Sequence, residues 1–346
     1  MTKLIILSRA KNKVLAGGKV LKIVSGVSLS VLVLALTFFF LRTMTIEIKT
    51  TVPEPSPAEK SVKLFLAGDI MLDRGVKYMI EKEGQGDFKF PFLKMVDEMK
   101  KADLVFGNLE SQISDRGTKV GSIYSFRADP KAIEGLKFAG FDVLSLANNH
   151  ALDYTQAALK DSLDRLIDAG LAPIGAGQEA QAFAPAIKTT KGTRIAFFAY
   201  TDQAPSAWQA QGEDIGIARV SENNLERIKA DLTLARELAD VVIVSLHAGQ
   251  EYTREPTLSQ TTFSRAFIDA GADIVVNHHS HVIQESEEYR SGYIFYGLGN
   301  FVFDQGFSKE TTQGEIVEIT IENKKIKKVI TKEIKMNEFF QPELVE

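Results

Sequence analysis

The chain has 346 residues, a formal net charge of −4 and no cysteine, and 45% of its residues are hydrophobic. This composition excludes a collagen-like chain, a wholly disordered chain and a fold held by disulfide bonds. The charge is uneven, because residues 1–42 carry seven Lys or Arg and no acid, leaving 34 basic and 45 acidic residues elsewhere. An acidic body is a poor match for a phosphate backbone, so no nucleic acid is expected as a partner.

Residues 23–41 contain no charged side chain and are strongly apolar. Nineteen helical residues span about 28 Å, close to the ~30 Å hydrocarbon core of a bilayer. We therefore expect one transmembrane helix at 23–41, with the basic segment 1–22 in the cytoplasm and the main domain extracytoplasmic, at the cell membrane. A cleaved signal peptide is the alternative, but this apolar stretch exceeds the usual length and no small-residue cleavage pattern follows it.

Residues 43–61 mix proline, serine and charged residues, which is typical of an extended linker. We expect a single globular domain at 62–335, because this part of the chain contains no internal repeat and no low-complexity break. Residues 336–346 are predicted to be a C-terminal tail.

Short apolar runs alternate with longer amphipathic segments through the globular part. The runs that predict strands are 62–67, 104–106, 143–146, 195–200, 241–246, 274–276 and 293–296. The segments that predict helices are 92–101, 130–139, 155–169, 222–239 and 257–270, and a glycine follows three of them, at Gly140, Gly170 and Gly271. The alternation predicts an α/β fold, and 315–321 with 326–334 predict a closing antiparallel hairpin.

Five of the predicted strands run directly into clusters of polar side chains. In chain order the clusters contain Asp69; Asn108 and Glu110; Asn148, Asn149 and His150, with Asp153 beyond; His247; and Asn277, His278, His279 and His281. All five histidines of the chain lie in these clusters. Because the carboxyl ends of strands in an open α/β sheet border the ligand crevice, we expect the clusters to face one site.

The residue types in these clusters favour a divalent metal site. His279 and His281 would point to the same side of an extended segment and could reach the same cation or adjacent cations. Imidazole, carboxylate and amide ligands suit one or two ions of Mn, Zn or Fe better than calcium, and a chain without cysteine excludes a Cys-type zinc site. Taken singly, some of these residues also have a purely structural interpretation. Asp69 could cap a turn, and Glu110 could be a surface carboxylate. Asn148 and Asn149 could be turn residues, and His247 could be a hydrogen-bonded histidine at a strand end.

The order of these motifs resembles the CapA or PgsA family of bacterial capsule and poly-γ-glutamate synthesis proteins, whose domain is similar to calcineurin-like metallophosphatases. The matching motifs are Gly68-Asp69, Asn108-Leu109-Glu110, Asn148-Asn149-His150 with Asp153, His247-Ala-Gly-Gln-Glu251-Tyr252, His278-His279-Ser280-His281 and the segment 296–304. The resemblance covers residues 62–304. It implies a four-layer α-β-β-α sandwich, preceded here by the transmembrane helix, with metal ions at the strand ends.

Carried across by position, the resemblance also implies roles for single residues. His150 is implied as the catalytic acid that protonates a leaving oxygen, and Met71 stands where metallophosphatases usually have a histidine. The implied metal ligands are Asp69, Glu110, Asn149, His247, His279 and His281. Of these, Glu110 would be shared by two ions. The residues assigned to substrate contact or to support of the ligands are Asn148, Asp153, Glu251, Tyr252, His278, Arg74, Arg127, Asn300 and Asp304.

Several of these supporting residues have an equally ordinary structural interpretation. Arg74 and Arg127 would bind a carboxylate or phosphate bidentately, although an isolated arginine is usually solvated or ion-paired at the surface. Glu251 and Tyr252 would border the crevice or serve only the fold.

Two functions agree with these patterns. The first is a membrane-anchored, extracytoplasmic metal-dependent hydrolase that acts on an ester or amide in an envelope polymer. The second is a non-catalytic accessory subunit that binds or guides a capsule polymer such as poly-γ-glutamate beside a membrane synthase or exporter.

Overall fold

The computed structural model describes residues 61–345. The predicted cytoplasmic segment at 1–22, the predicted transmembrane helix at 23–41 and residues 43–60 of the predicted linker lie outside this range. Among the described residues, no helix combines the length and the apolar character needed to cross a bilayer.

The described residues alternate strands and helices over their whole length. The strands are β1 (Val62–Ile70), β2 (Leu104–Leu109), β3 (Gln112–Ile113), β4 (Arg127–Ala128), β5 (Val143–Ser145), β6 (Ala172–Ile174), β7 (Ala176–Gly177), β8 (Ala186–Thr190), β9 (Thr193–Thr201), β10 (Gly216–Ile217), β11 (Val241–His247), β12 (Ile274–His278), β13 (Ser286–Tyr289), β14 (Gly292–Phe295), β15 (Asn300–Val302), β16 (Gln313–Glu322), β17 (Lys325–Met336) and β18 (Pro342–Leu344). The helices are α1 (Arg74–Lys82), α2 (Val96–Met99), α3 (Ala132–Ala139), α4 (Thr155–Asp168), α5 (Glu179–Ala182), α6 (Leu225–Leu238) and α7 (Leu258–Asp269), with 3₁₀ turns at Phe90–Phe92, Ser206–Trp208 and Glu310–Thr312.

Two large sheets organise these elements. The first has the strand order β18-β17-β16-β1-β2-β5-β6, with β15 also paired to β1, and its strands β1, β2, β5 and β6 run parallel. The second has the order β13-β14-β12-β11-β9-β8, and β14, β12, β11 and β9 run parallel. The parallel strands of each sheet therefore end at a common edge, where their carboxyl-terminal residues meet.

The two sheets pack face to face, and helices cover their outer sides. Alternate residues of β1 point to opposite faces of the first sheet. Leu64 and Leu66 belong to the hydrophobic cluster between the two sheets. Phe65 belongs to the cluster on the other face, which contains the apolar side of α1, α3 and α4. Between the sheets, the rings of Phe106 and Phe197 stack with centroids 6.1 Å apart. A third cluster joins the second sheet to α6 and α7.

The α/β class expected from the sequence is confirmed. All seven predicted strands are present, and the predicted helices at 130–139, 155–169, 222–239 and 257–270 correspond to α3, α4, α6 and α7. The predicted hairpin is formed by β16 and β17, and the segment predicted as a tail contributes β18 to the first sheet.

One predicted helix is wrong, and two observed helices, α1 and the four-residue α5, were not predicted. Residues 92–101 do not form a continuous helix, because the chain makes a 3₁₀ turn at Phe90–Phe92 and then only the single turn of α2, although Phe92 and Met99 are buried as a helical pattern requires. Helix α1 has only Val76 and Ile80 buried, too few apolar positions for a clear periodic signal.

Candidate metal centre

The polar clusters lie at the strand ends of both sheets. Asp69 is the penultimate residue of β1, and Glu110 directly follows β2 in the first sheet. His247 ends β11, and His279 follows β12 in the second sheet. Because the sheets face each other, side chains that are far apart in the sequence meet at one edge of the molecule.

Three overlapping groups of these side chains place potential ligand atoms within 4.8 Å of one another. Glu110, His279 and His281 each belong to two of the groups. The groups are Glu110, His247 and His279; Glu251, His279 and His281; and Asp69, Glu110 and His281. The overlap brings the carboxylates and imidazoles predicted as ligands into one compact centre.

The donor set fits a divalent metal ion. Glu110 has no exposed surface, and its Oε1 atom has no hydrogen-bond partner among the described residues. This oxygen lies 3.9 Å from His247 Nε2 and 3.7 Å from His281 Nε2. A buried, unpartnered carboxylate oxygen is costly unless a proton or a cation occupies the space beside it. Carboxylate and imidazole donors together suit Zn, Mn or Fe.

The two buried carboxylates have opposite pKa shifts. Burial raises the pKa of Glu110 well above its usual value, and the negative charge of Asp69 adds to the effect. Burial would also raise the pKa of Asp69, but hydrogen bonds and attraction from His278 and His281 outweigh it and hold that pKa well below the usual value. In the metal-free protein, Asp69 is thus the ionised carboxylate and Glu110 the one that tends to keep a proton.

Two histidines of the second sheet, His247 and His279, are held in the neutral form. Burial lowers the pKa of His247 well below its usual value and that of His279 to about 3, and neighbouring imidazoles act in the same direction. The two ring centroids lie 4.7 Å apart. Neutral imidazole is the form that binds metal ions, so both rings are ready for coordination at pH 7.

A buried amide, Asn108, connects the candidate ligands of both sheets. Its Nδ2 donates hydrogen bonds to Asp69 Oδ1 at 2.8 Å and to Glu110 Oε2 at 3.3 Å, and lies 3.3 Å from His247 Nδ1. Its Oδ1 accepts a hydrogen bond from Asn148 Nδ2 at 3.2 Å. Asn108 belongs to a cluster that the sequence predicts to face the site but has no predicted role there, although its position two residues before Glu110, on the same side of an extended chain, is a signal for one.

His150 lies beside the centre and is oriented by Asp153. Its Nδ1 is 2.7 Å from Asp153 Oδ2, and its Nε2 is 3.8 Å from Glu110 Oε1. Asp153 Oδ2 also accepts a hydrogen bond from the backbone N–H of Phe126 at 2.8 Å, and the Phe126 ring packs on the imidazole with centroids 4.0 Å apart. With the Nδ1 hydrogen donated to Asp153, His150 presents Nε2 towards the candidate ligands.

The backbone around His279 and His281 differs from the prediction of an extended segment. Strand β12 ends at His278, and the next residues turn, with φ of +88° at His279 and +56° at His281. The ring centroids of these two histidines are 6.1 Å apart, so a left-handed turn, rather than strand alternation, brings them together. Such a backbone costs about 1–3 kcal/mol per residue and is typical of functional sites.

Other predicted site residues hold the ligands in place. His281 Nδ1 lies 2.9 Å from Asn300 Oδ1, whose amide group is fixed because its Nδ2 donates to the Thr311 carbonyl at 3.0 Å. Asn149 Oδ1 lies 2.9 Å from His247 Nε2. His278 is fully buried with Nδ1 3.2 Å from Asp69 Oδ1. Met71, at the usual metallophosphatase histidine position, is buried in the hydrophobic core.

A cavity of about 590 Å³ opens beside the centre. Predicted site residues that line it are Arg74, Asn149, His150, Asp153, Glu251, Tyr252, His281 and Asp304. Arg74 is paired with Asp304, through Nε to Oδ2 and Nη2 to Oδ1, both at 3.0 Å. Two of the six predicted ligands, Asn149 and His281, therefore line this opening together with His150 and five of the nine predicted supporting residues.

Arg127 is not among the described residues that line this cavity. Its Nη1 donates a hydrogen bond to the carbonyl of Arg116 at 2.9 Å, and its guanidinium lies 4.2 Å from the ring centroid of Tyr154. These contacts occupy the side chain within the 116–127 loop, so the prediction that Arg127 binds substrate has no support in the structure.

Comparison with known proteins identifies the family. Residues 63–305 match the family model described as "Bacterial capsule synthesis protein PGA_cap". The match covers more than half of the chain. The chain belongs to the PGA_cap family. The resemblance indicated by the sequence motifs is thereby confirmed.

Curated proteins similar to this PGA_cap chain carry related names. It is 33% identical over 256 residues to "Capsule biosynthesis protein CapA" of Bacillus anthracis, covering 72% of this chain and 62% of that protein. It is 34% identical over 246 residues to "PGA biosynthesis protein CapA" of Bacillus subtilis (strain 168), covering 70% and 63%. It is 28% identical over 284 residues to a "Probable polyglutamine synthesis accessory protein" of Mycobacterium tuberculosis, covering 70% and 74%. The chain thus spans less than two thirds of the length of the first two.

Two solved structures align with the PGA_cap chain over most of its length. A novel phosphatase of Mycoplasma pneumoniae aligns with a TM-score of 0.47 and 17% identity, covering 80% of this chain and 94% of that chain. The NAD nucleotidase of Haemophilus influenzae aligns with a TM-score of 0.43 and 11% identity, covering 83% and 54%. Both scores are below 0.5, so the fold description rests on the strand order and layers described above.

Proposed function

We propose that this PGA_cap protein is a metal-dependent hydrolase of capsule or poly-γ-glutamate biosynthesis. It acts on an ester or amide bond of an envelope polymer, and the helix at 23–41 anchors the domain on the outer side of the cell membrane. One observation carries the proposal: imidazoles of one sheet and carboxylates of the other meet around Glu110 Oε1, a buried oxygen that has no hydrogen-bond partner within residues 61–345.

The candidate ligands divide between the two sheets. The predicted ligands Asp69, Glu110, Asn149, His247, His279 and His281 would hold one or two divalent ions of Mn, Zn or Fe. When bound, such ions activate water and stabilise negative charge on the reacting oxygens. Asn108 fixes the positions of both carboxylates and of His247, because its amide group contacts all three side chains.

The proton for the leaving group comes from His150. In its protonated form, His150 gives the Nε2 hydrogen to the leaving oxygen, while the Nδ1 hydrogen stays on the ring and is donated to Asp153. Asp153 stabilises the positive imidazolium and fixes its orientation. The packed ring of Phe126 restricts rotation of the imidazole and shields it from water on one face.

The test combines metal content with turnover. We would purify the full chain in detergent, measure bound metals by mass spectrometry, and assay a phosphodiester and a γ-glutamyl anilide as substrates. The expected result is that His150→Ala retains the metal and loses turnover by about 10²–10⁴-fold, the usual contribution of a general acid. A metal-loaded parent protein that is no faster than His150→Ala would defeat the hydrolase proposal.

A non-catalytic accessory function is the second candidate. It is favoured by the relative named a probable polyglutamine synthesis accessory protein. In this version the domain binds or guides a polymer such as poly-γ-glutamate, and the helix at 23–41 docks it to a membrane synthase or exporter. Exchanging 23–41 for an unrelated membrane helix would then abolish capsule formation, whereas His247→Ala would not. The reverse result would favour the hydrolase.

A further inference from the structure

The cavity beside the candidate metal centre has a neighbour of about 420 Å³. The two cavities share Val120 and Trp208 as wall residues, so they adjoin. The second cavity reaches the start of α4, where Thr155 and Gln156 line it. We call the two cavities together the Trp208 groove. It leads from His150 to the start of α4.

Large apolar side chains are exposed around the Trp208 groove. Tyr124 is 60% exposed, Phe307 is 66% exposed, and Tyr252 and Val120 are about half exposed. The Tyr252 and Phe307 rings meet edge to face, with centroids 5.2 Å apart. A cluster of exposed aromatic side chains beside a cavity is unfavourable in water and marks a binding surface.

The charges of the Trp208 groove do not suit a polyanion. Every residue that lines the second cavity within the described part of the chain is uncharged. In the first cavity, the single Lys or Arg among the described lining residues is Arg74, which is already paired with Asp304. Asp153 and Glu251 add negative charge to the same walls. Beyond His150 and the centre, a polyglutamate segment would therefore meet acidic and neutral walls, with no unpaired Lys or Arg among the described lining residues to balance its carboxylates.

Sugar rings match both features of the groove. A pyranose ring has an apolar C–H face that packs on an aromatic ring, and hydroxyl groups that donate to carboxylate and amide oxygens. Glu251 and Gln156 offer such oxygens. A purely apolar ligand would cover the aromatic rings but leave these polar groups unpaired, which is costly.

We infer that the Trp208 groove binds an uncharged glycan segment, with sugar rings packed on Tyr124 and Phe307. The substrate class of the centre is then a glycan-containing envelope polymer, and this part of the inference rests on the proposed hydrolase function. Glycan binding itself requires only the groove, so it is tested without metal.

Trp208 provides the readout, because it is the only tryptophan of the chain. The full chain, in detergent with EDTA, is titrated with the neutral tetrasaccharides chitotetraose, cellotetraose and maltotetraose, and separately with γ-linked tetraglutamate. We expect at least one tetrasaccharide to change the Trp208 emission in a saturable manner and tetraglutamate to leave it unchanged. Phe307→Ala and Tyr124→Ala should each weaken that binding by about fivefold or more, because each removes a stacking surface.

Tyr78→Ala is the matched control. Tyr78 is a tyrosine on α1 with 54% of its surface exposed, and it does not line the groove. The inference is overturned if tetraglutamate saturates the signal at the same or lower concentration, if none of the three tetrasaccharides binds, or if Tyr78→Ala weakens binding as much as the groove variants. Metal content of the same preparation, measured before EDTA is added, tests the hydrolase separately: metal without glycan binding defeats only this inference, and glycan binding without metal defeats only the hydrolase.

Discussion

Glu110, His247 and His279 are buried ionisable side chains whose preferred states in the metal-free fold can be stated. The raised pKa of Glu110 means that the folded state favours its protonated form. The lowered pKa values of His247 and His279 mean that the folded state favours neutral rings. As the pH falls, the two histidines therefore lower the free energy of unfolding, whereas Glu110 raises it.

We expect the metal-free protein to lose stability as the pH falls below about 6.5, the usual pKa of histidine in an unfolded chain. His247 and His279 bind protons more readily in the unfolded chain, so each lowers the free energy of unfolding by up to about 1.4 kcal/mol per pH unit. The loss from His279 ends near its folded pKa of about 3. Urea unfolding in EDTA at pH 7, 6 and 5 measures this slope, and a flat profile would contradict it.

Glu110→Gln serves as the internal comparison for this pH dependence. The raised pKa of Glu110 contributes stability that is present at low pH and is lost as the pH rises through its folded pKa. Glutamine does not ionise, so the Gln variant lacks this pH-dependent contribution. In EDTA its free energy of unfolding should exceed that of the parent at pH 8, and the difference should vanish towards pH 4.5. Glu222→Gln, the same change at an exposed position, should show no such pH-dependent difference from the parent.

Asp153→Asn tests the orientation of His150 apart from its chemistry. The amide oxygen can still accept from the Phe126 N–H and from His150 Nδ1–H, but without the negative charge it no longer stabilises the charged ring. We expect kcat to fall by about 10²-fold or more with metal content and KM little changed. Steady-state kinetics on the phosphodiester substrate measure this, with the exposed Asp168→Asn as the control. Equal losses in both variants would remove Asp153 from the mechanism.

At the scale of elements, the strands that carry the site could be predicted from the sequence. A strand that is buried on both faces appears in the sequence as a short apolar run, and in β1 and β11 this run ends in Asp or His. Helix α1 could not be found in this way, because only two of its nine residues, Val76 and Ile80, are buried. The irregular segment around α2 could not be found either, because its buried residues follow a helical period through a backbone that is not continuously helical.

The detailed geometry of the centre depends on tertiary structure and could not be predicted. The positive φ angles of His279 and His281 arise where β12 leaves its sheet, and no local residue preference indicates them. The hydrogen bond between Asn149 and His247 joins residues 98 positions apart. The sequence indicates which side chains gather at the strand ends, whereas the fold decides which nitrogen or oxygen atoms face each other.

Helix α7 begins at a capping box that also supports the site. Thr257 accepts a hydrogen bond from the Gln260 backbone N–H, and the Gln260 side chain accepts one from the Thr257 N–H. Gln260 Nε2 also donates to the Tyr296 carbonyl at 2.7 Å. Thr257→Ala should therefore lower the free energy of unfolding by about 1 kcal/mol, as loss of an N-cap usually does. Thr262→Ala, the same change on the exposed side of α7, should be nearly neutral in the same urea titration; an equal loss there would argue against the cap.

At the scale of the whole molecule, the candidate centre lies across the junction of the two sheets. Asp69 and Glu110 come from the first sheet, and His247, His279 and His281 come from the strand ends of the second. Away from the centre, a hydrophobic cluster that contains the stacked pair Phe106 and Phe197 lies between the sheets. A cation held by both sets of ligands would link the two sheets at the edge where their buried polar groups are concentrated.

Metal binding should therefore stabilise the folded chain as a whole. Mn²⁺ or Zn²⁺ added to protein freed of metal is expected to raise the melting temperature, since a ligand at 100 times its Kd contributes about 2.7 kcal/mol to the free energy of unfolding. Asp69→Asn should reduce this shift because it removes a charged ligand, whereas the exposed Asp87→Asn should keep it. Thermal unfolding with and without EDTA gives the answer independently of catalysis. If Mn²⁺, Zn²⁺ and Fe²⁺ all leave the melting temperature unchanged, the side chains gathered around Glu110 do not form a metal centre.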